Sequence, residues 1–292
     1  MSSPGAVRTL DSLYAQAAEA TRSGSRTLFF ATRHFPPDLA RYAHAVYWFC
    51  SYTRRIGRLG REDIEQWASL VNSGLRGRLA RHPVLDVFLD TVDHRSIPHD
   101  YPLDLIEGVR MDFEQTRYRS FSQLRGLCHR ITGTATIMMA HVVGFRDPAL
   151  DYMADLGLAI ELTAKLRNMG DDLTRDRIYL PVEEMEAFGY SETALRTHTR
   201  NHVFMELMRH QAERAHEYYR QAEPGLTLLN RRGRFAVKVA FDLNRQTLRR
   251  IEASNFDVFE HRPAMPAMER AWITARSMAG PITRRLWKAV GA

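Results

Sequence analysis

Lysine is almost missing from this chain. It stands only at 165, 238 and 288, so 38 of the 41 basic residues are arginine. The arginines are scattered among 34 acids and form no basic arm, so a nucleic-acid partner is not expected from the net charge of +7. Arginine does suit planar, bidentate recognition of phosphate, which leaves an anionic small substrate open. Cysteine is also scarce. Cys50 and Cys128 are too few to staple 292 residues, which points to a reducing compartment, the cytoplasm. No run approaches the roughly 18 apolar residues of a membrane span, and the first residues hold no apolar leader. Strand signals are missing too: there are no alternating Val-, Ile- and Thr-rich runs, and no Asn-Gly or Asp-Gly hairpin pairs.

What is present is helical spacing. Pro36-Pro37-Asp38 starts a helix, and Leu39, Tyr42, Ala43, Ala45, Val46 and Phe49 carry an apolar face to about Tyr52. Further helices are expected at about 61–80, 83–93, 103–116, 121–144 and 148–173. Others follow at about 182–188, 192–197, 201–222, 226–254 and 266–278. The segments 121–144 and 148–173 are long and apolar nearly all round, which places them centrally. No linker or repeat divides the chain, so one all-α domain over 1–292 is the simplest account.

Two stretches carry candidate chemistry. The first runs from Arg167 to Pro181 and ends an apolar helix in acids and arginines. Glu161, Asn168 and Asp172 fall on one face at spacings of three and four. Hard oxygen donors at one-turn spacing suit magnesium and a bound diphosphate. The same pattern fits a solvated helix end with local ion pairs, and spacing alone does not choose. The second stretch runs from Tyr47 to Arg58. Tyr47, Cys50, Arg54 and Arg58 share a face, an aromatic wall ending in two guanidinium groups. Such a wall suits an isoprenoid tail and its diphosphate. Read by itself, an exposed basic helix end is the plainer description.

Taken together these motifs resemble the squalene/phytoene synthase family, over roughly residues 23 to 262. Its opening segment is matched by Ser25 to Phe30, its Pro-Pro helix start by Pro36-Pro37, and the cysteine ahead of its first aspartate-rich motif by Cys50. Its glycine-containing central helix is matched by Cys128 to Thr134, and its Ile-Glu…Phe-Asp-Val run by residues 251–258. Most specific is Arg167 to Pro181, matching Arg-Asp-x-Gly-Glu-Asp-(x)4-Arg-(Ile/Val)-Tyr-Leu-Pro. The resemblance implies the all-α isoprenoid synthase bundle around a central cavity. The family reaction it implies joins two allylic diphosphates head to head through magnesium.

The departures from the family pattern shape the functional expectation. Arg54, Arg55 and Arg58 stand at the three aspartate positions of the first motif, a local change of six charge units. Asn168 replaces the first aspartate of the second motif, and Ala164 and Glu161 replace a nearby asparagine and glutamine. Three arginines do not bind magnesium, so condensation of two prenyl diphosphates is not the first expectation. The expected activity is transfer of a short allylic group, dimethylallyl, to a carbon of an electron-rich aromatic acceptor of the carbazole type. A non-catalytic assembly protein and a head-to-head condensing enzyme are the alternatives. Arg26, Arg54, Arg58, Arg167 and Arg262 are the expected diphosphate ligands. Thr27, Phe30, Tyr47 and His129 are the expected wall. Asn168 and Asp172 are expected to hold magnesium, with Glu161 and Asp172 as the catalytic carboxylates.

Overall fold

The structure is a computed structural model that describes residues 9–78, 81–259 and 265–277. Fourteen named α-helices lie among the described residues, and no strand does; two isolated bridges, Arg117 to Ile178 and Phe145 to Leu229, are the only extended pairings there.

The chain opens with α1 (Leu10–Gly24) and α2 (Arg26–Thr32), each started by a hydroxyl that accepts a backbone amide: Thr9 from Ser12 and Ser25 from Leu28. Then come α3 (Pro37–Ile56), with proline in its first turn, α4 (Arg61–Leu75), α5 (Pro83–Arg95) and α6 (Asp100–Glu114). The expected helix at 121–144 is three pieces. α7 (Phe121–Cys128) runs into a π-helical turn, His129–Gly133, and α8 (Thr134–Val143) follows. The expected helix at 148–173 is two, α9 (Ala149–Arg167) and α10 (Met169–Leu173), broken at Asn168. α11 (Val182–Phe188), α12 (Glu192–Arg196), α13 (His202–Ala222), a 3-10 turn (Glu223–Leu228) and α14 (Arg231–Ala253) complete the named helices. A last helical run covers 267–277.

α9 is the axis of the packing. It buries residues on every side, from Met153 and Leu156 to Leu162 and Leu166, against α13, α8, α14 and the π turn. Its closest approach is to that π turn. A Cβ on Gly157 would sit 2.5 Å from the Gly133 Cα and 2.6 Å from the Thr132 carbonyl oxygen, so a glycine at 157 is what lets these backbones meet. The Thr136 hydroxyl seals the contact by donating to the Met153 carbonyl at 2.7 Å. π turns open a helix by one residue and re-aim the side chains around it. Here Thr132 is turned toward α9.

Candidate functional site: a charged cavity between α3, α6 and α9

A polar cavity of about 360 Å³ lies where the C-terminal ends of α3, α6 and α9 meet α10 and the segment after it. Six basic side chains (Arg54, Arg58, Lys165, Arg167, Arg175, Arg177) and four acidic ones (Asp112, Glu161, Asp171, Asp172) line it. Helical spacing delivers the α9 face as expected: Glu161, Ala164 and Asn168 all line the cavity, and α10 adds Asp172.

Glu161 is the most enclosed of these groups, its side chain only 2% exposed. Arg54 reaches it from α3 with both terminal nitrogens, at 3.2 and 3.3 Å. Lys165 lies 3.3 Å from the same carboxylate, and the Thr132 hydroxyl donates to it at 2.5 Å. Burial alone would raise this carboxyl, but Arg54, then Lys165 and Thr132, overcome it and hold the group at about 2. The Arg54 guanidinium is correspondingly pushed up, chiefly by Glu161. These contacts correct two expectations. Glu161 is not a base, because its oxygens are occupied and its proton affinity is low. Arg54 lines the cavity, but its charge is matched by Glu161 rather than offered to a phosphate.

A second knot sits opposite. Tyr179 donates to Asp112 at 2.7 Å, Arg177 pairs with Asp112 at 3.5 Å and donates to its carbonyl, and the Lys165 ammonium lies 3.3 Å above the Tyr179 ring. Burial and Asp112 push the Tyr179 phenol up, so it stays a neutral donor. Asp172 faces both knots. Its carboxyl is raised by burial and by Asp112 and Glu161, against the pull of Lys165 and Arg175. The two expected catalytic carboxylates are thus shifted in opposite directions, Glu161 down and Asp172 up.

The other expected residues are divided. Arg58 and Arg167 line the cavity, and Arg167 donates to the Asn168 side chain at 3.1 Å. Arg55 turns outward over the Tyr52 ring, 4.8 Å from its centre. Arg26 is exposed at the start of α2 and does not line the cavity, and Arg262 lies outside the described residues. Tyr47 is half-buried within electrostatic reach of Arg54 and is not among the residues that line the cavity. Thr27 is half-buried on α2, and Phe30 packs on the small cluster of Ala31, Val239, Leu243 and Ile273. His129 is a correction: the π turn leaves it exposed, on the side of Asp155. Cys50 and Cys128 are buried and burial pushes the Cys50 thiol up to about 12, so neither is a nucleophile.

The magnesium expectation keeps the support of the family as a whole, while Asn168, one of its two expected ligands, is engaged elsewhere. Among the described residues, no three histidine, cysteine or acidic side chains gather as a metal site. Glu161 is taken by two cations and a hydroxyl, and the Asn168 oxygen accepts from Arg167. Glu161 and Asn168 alone do not offer the near-octahedral oxygen ligation that magnesium asks for; Asp171 and Asp172 line the same cavity.

Sequence reasoning missed Asp112, Thr132 and Lys165, and took Arg177 only as part of the Arg167 to Pro181 motif. Lys165 carried a signal: in a chain that writes nearly every cation as arginine, a lysine four residues after Glu161 marks a place where a compact ammonium is needed.

An all-helical bundle whose axial helix and neighbours close on an arginine-rich polar cavity is the isoprenoid synthase helical fold. The chain belongs to the squalene/phytoene synthase family, whose model matches residues 21–269. It is 30% identical over 296 residues to the 15-cis-phytoene synthase of Synechocystis sp., covering 92% of this chain and 87% of that one. It is 32% identical over 276 residues to phytoene synthase 3 of Zea mays, covering 89% of this chain and 64% of that one. A dehydrosqualene synthase solved with a ligand superposes with a TM-score of 0.89 at 20% identity, covering 94% of this chain and 98% of that one, which is a likeness of fold.

These relatives overturn the expected transfer to an aromatic, carbazole-type acceptor: they are named for making phytoene, and nothing in them points to an aromatic substrate. The structure explains the error. The argument against condensation put three new positive charges into the cavity. Arg55 points away from it and Arg54 is neutralised by Glu161, so Arg58 is the only first-motif arginine that adds unmatched charge there.

Proposed function

We propose that the chain is a prenyl-transferring enzyme that condenses two prenyl diphosphates, as its phytoene synthase relatives are named for doing, and works as one domain. The observation that carries this is the cavity, with more basic than acidic side chains at the C-terminal end of the axial helix. The diphosphate leaves with the electron pair of its C–O bond, and the cationic lining stabilises the departing charge. A double bond of the second prenyl group supplies the pair for the new C–C bond. Asp172 accepts the proton that the resulting cation loses, which gives a condensed product still carrying the second diphosphate; departure of that diphosphate and of a second proton then gives the hydrocarbon. The two free, buried thiols support a reducing, cytoplasmic setting.

Incubation with geranylgeranyl or farnesyl diphosphate, with and without magnesium, tests the reading by mass spectrometry. Phytoene, dehydrosqualene or their condensed precursors, none of which needs a reductant, are the expected products; recovery of intact substrate or of the hydrolysed alcohol alone overturns it. The Arg54–Glu161 pair, which occupies the best-placed acid of the cavity, favours a second reading: a member that binds prenyl diphosphate without turning it over. The same incubation, run beside a binding measurement, separates the two.

A further inference from the structure

Two arginines of the cavity stand apart from the rest. Arg54 and Lys165 share Glu161, Arg177 holds Asp112, and Arg167 donates to Asn168. Arg58, just past the end of α3, and Arg175, just past α10, line the same cavity. Among the described residues, neither guanidinium has a side-chain hydrogen bond or a carboxylate within ion-pair distance. They also bear on each other. The Arg58 guanidinium is pushed down by burial first and then by Arg175 and Arg54, with Asp172 and Asp112 only partly offsetting this. Both side chains are exposed at the rim of the cavity, so water tempers their repulsion, and an anion between them takes the place of that screening.

We infer that a diphosphate is held directly between Arg58 and Arg175, without a magnesium bridge. The inference rests on the prenyl-diphosphate reading of the cavity and says how that substrate is gripped. Each guanidinium presents a planar fork of donors matched to two phosphate oxygens, and a diphosphate has enough oxygens to fill both forks. Two of the oxygen donors that would build a metal bridge are engaged elsewhere: Glu161 faces two cations and Thr132, and Asn168 faces Arg167, which leaves Asp172 as the donor whose removal tests for such a bridge. The segment carrying Arg175 is also fixed from outside. Arg117 pairs with Asp176 and with Glu192, both at 2.8 Å, and the Ile178 amide donates to the Thr116 carbonyl at 3.0 Å.

Calorimetric titration of the full chain with inorganic diphosphate, in EDTA and in excess magnesium, tests this. The expected dissociation constants agree within about threefold between the two conditions. Arg58→Met and Arg175→Met each weaken metal-free binding by about ten- to a hundredfold, the range for a charge-assisted hydrogen-bonding partner. Both side chains lack partners that folding needs, so neither variant melts below the parent. Arg55→Met, outside the cavity, leaves binding unchanged. Asp172→Asn leaves metal-free binding equal or tighter, because it removes a negative charge beside the anion.

Binding that appears only with magnesium, or that Asp172→Asn abolishes, overturns the inference in favour of a metal bridge. Absence of binding in both conditions overturns the inference and the reading of the cavity together. Product formation with strictly magnesium-dependent binding overturns the inference alone. Metal-free binding without product overturns the proposed reaction and leaves the inference standing.

Discussion

Arg54 and Glu161, 107 positions apart in sequence, join α3 to α9 through two nitrogen–oxygen contacts at 3.2 and 3.3 Å. The pair ties the two walls of the cavity together by fixed charge. It also fixes which groups are left for chemistry. Glu161 is withdrawn from acid–base work, Arg54 from phosphate binding, and the remaining unmatched cations are those at the mouth.

Breaking this pair from one side should cost more than removing both partners. Arg54→Met leaves a carboxylate 2% exposed with Lys165 and Thr132 still on it. Loss of one partner of a buried pair costs ~3–5 kcal/mol. The Arg54 side chain is 38% exposed and Lys165 remains, so the expected loss is discounted to ~2 kcal/mol. Glu161→Gln in the Arg54→Met background should recover most of it. Urea unfolding of the four proteins of the double-mutant cycle measures this, and additive costs would show that the two residues do not interact.

The same carboxylate sets an acid limb. Its folded value of about 2 lies below the ordinary 4.5, so its stabilisation is fully present above about pH 4.5 and is lost as pH falls through 2. A gap of that size corresponds to about 3 kcal/mol. Wild type and Glu161→Gln should therefore differ by a constant increment from pH 7 to 5 and converge toward pH 2. Equal pH profiles for the two proteins would place the acid sensitivity elsewhere.

How much of this was legible beforehand differs by element. The central position of 148–167 was readable, because apolar residues all round a helix leave it nowhere else to go. The common face of Glu161, Asn168 and Asp172 was readable from spacing. The break at Asn168 was not, since Met169 and Leu173 continue the apolar rhythm past it. Nor was the π turn, because 121–144 reads as one uninterrupted pattern and the turn answers to a backbone contact with Gly157 across the bundle. α1 escaped because its buried stripe, Leu13, Tyr14, Ala17 and Thr21, has only two large residues. The partner of Arg54 was the decisive omission. Local spacing shows that a guanidinium faces the cavity, but a carboxylate on another helix decides whether its charge is free.

Gly157→Ala tests whether the close approach of α9 and the π turn builds the site. The added methyl meets only backbone, the Gly133 Cα and N and the Thr132 oxygen at 2.5 to 2.6 Å, and none of these atoms can rotate away. Overpacking of this kind costs ~1–3 kcal/mol, and the rigid neighbours put this site at the upper end. The melting temperature should fall by about 5–10 °C for a chain of this size. Thr132 must move with the backbone, so the variant should also lose its acid limb at a higher pH than wild type. A melting temperature within about 1 °C of the parent would mean that the two helices have room to separate.

Asp172 separates chemistry from binding. Its carboxyl is held above its ordinary value by burial and by Asp112 and Glu161. A group raised in this way is easier to fold protonated: its stabilising contribution is complete below the unfolded value and is lost as pH rises through the folded one. At pH 7 the ionised form is therefore a burden on the fold, and Asp172→Asn should raise the melting temperature. A gain of ~0.5 kcal/mol corresponds to about 1–2 °C here. As the proton acceptor of the condensation, the same residue should be needed for turnover. Loss of a general base typically costs ~100- to 10,000-fold in kcat. Diphosphate binding should hold or tighten, since a negative charge has left the neighbourhood of Arg58 and Arg175. The three readouts move in different directions for one substitution, which a merely structural role would not produce. A variant that is less stable, or that keeps kcat within about threefold, would remove Asp172 from the reaction and leave Tyr179, the other proton-bearing group that lines the cavity beside it, as the next residue to test.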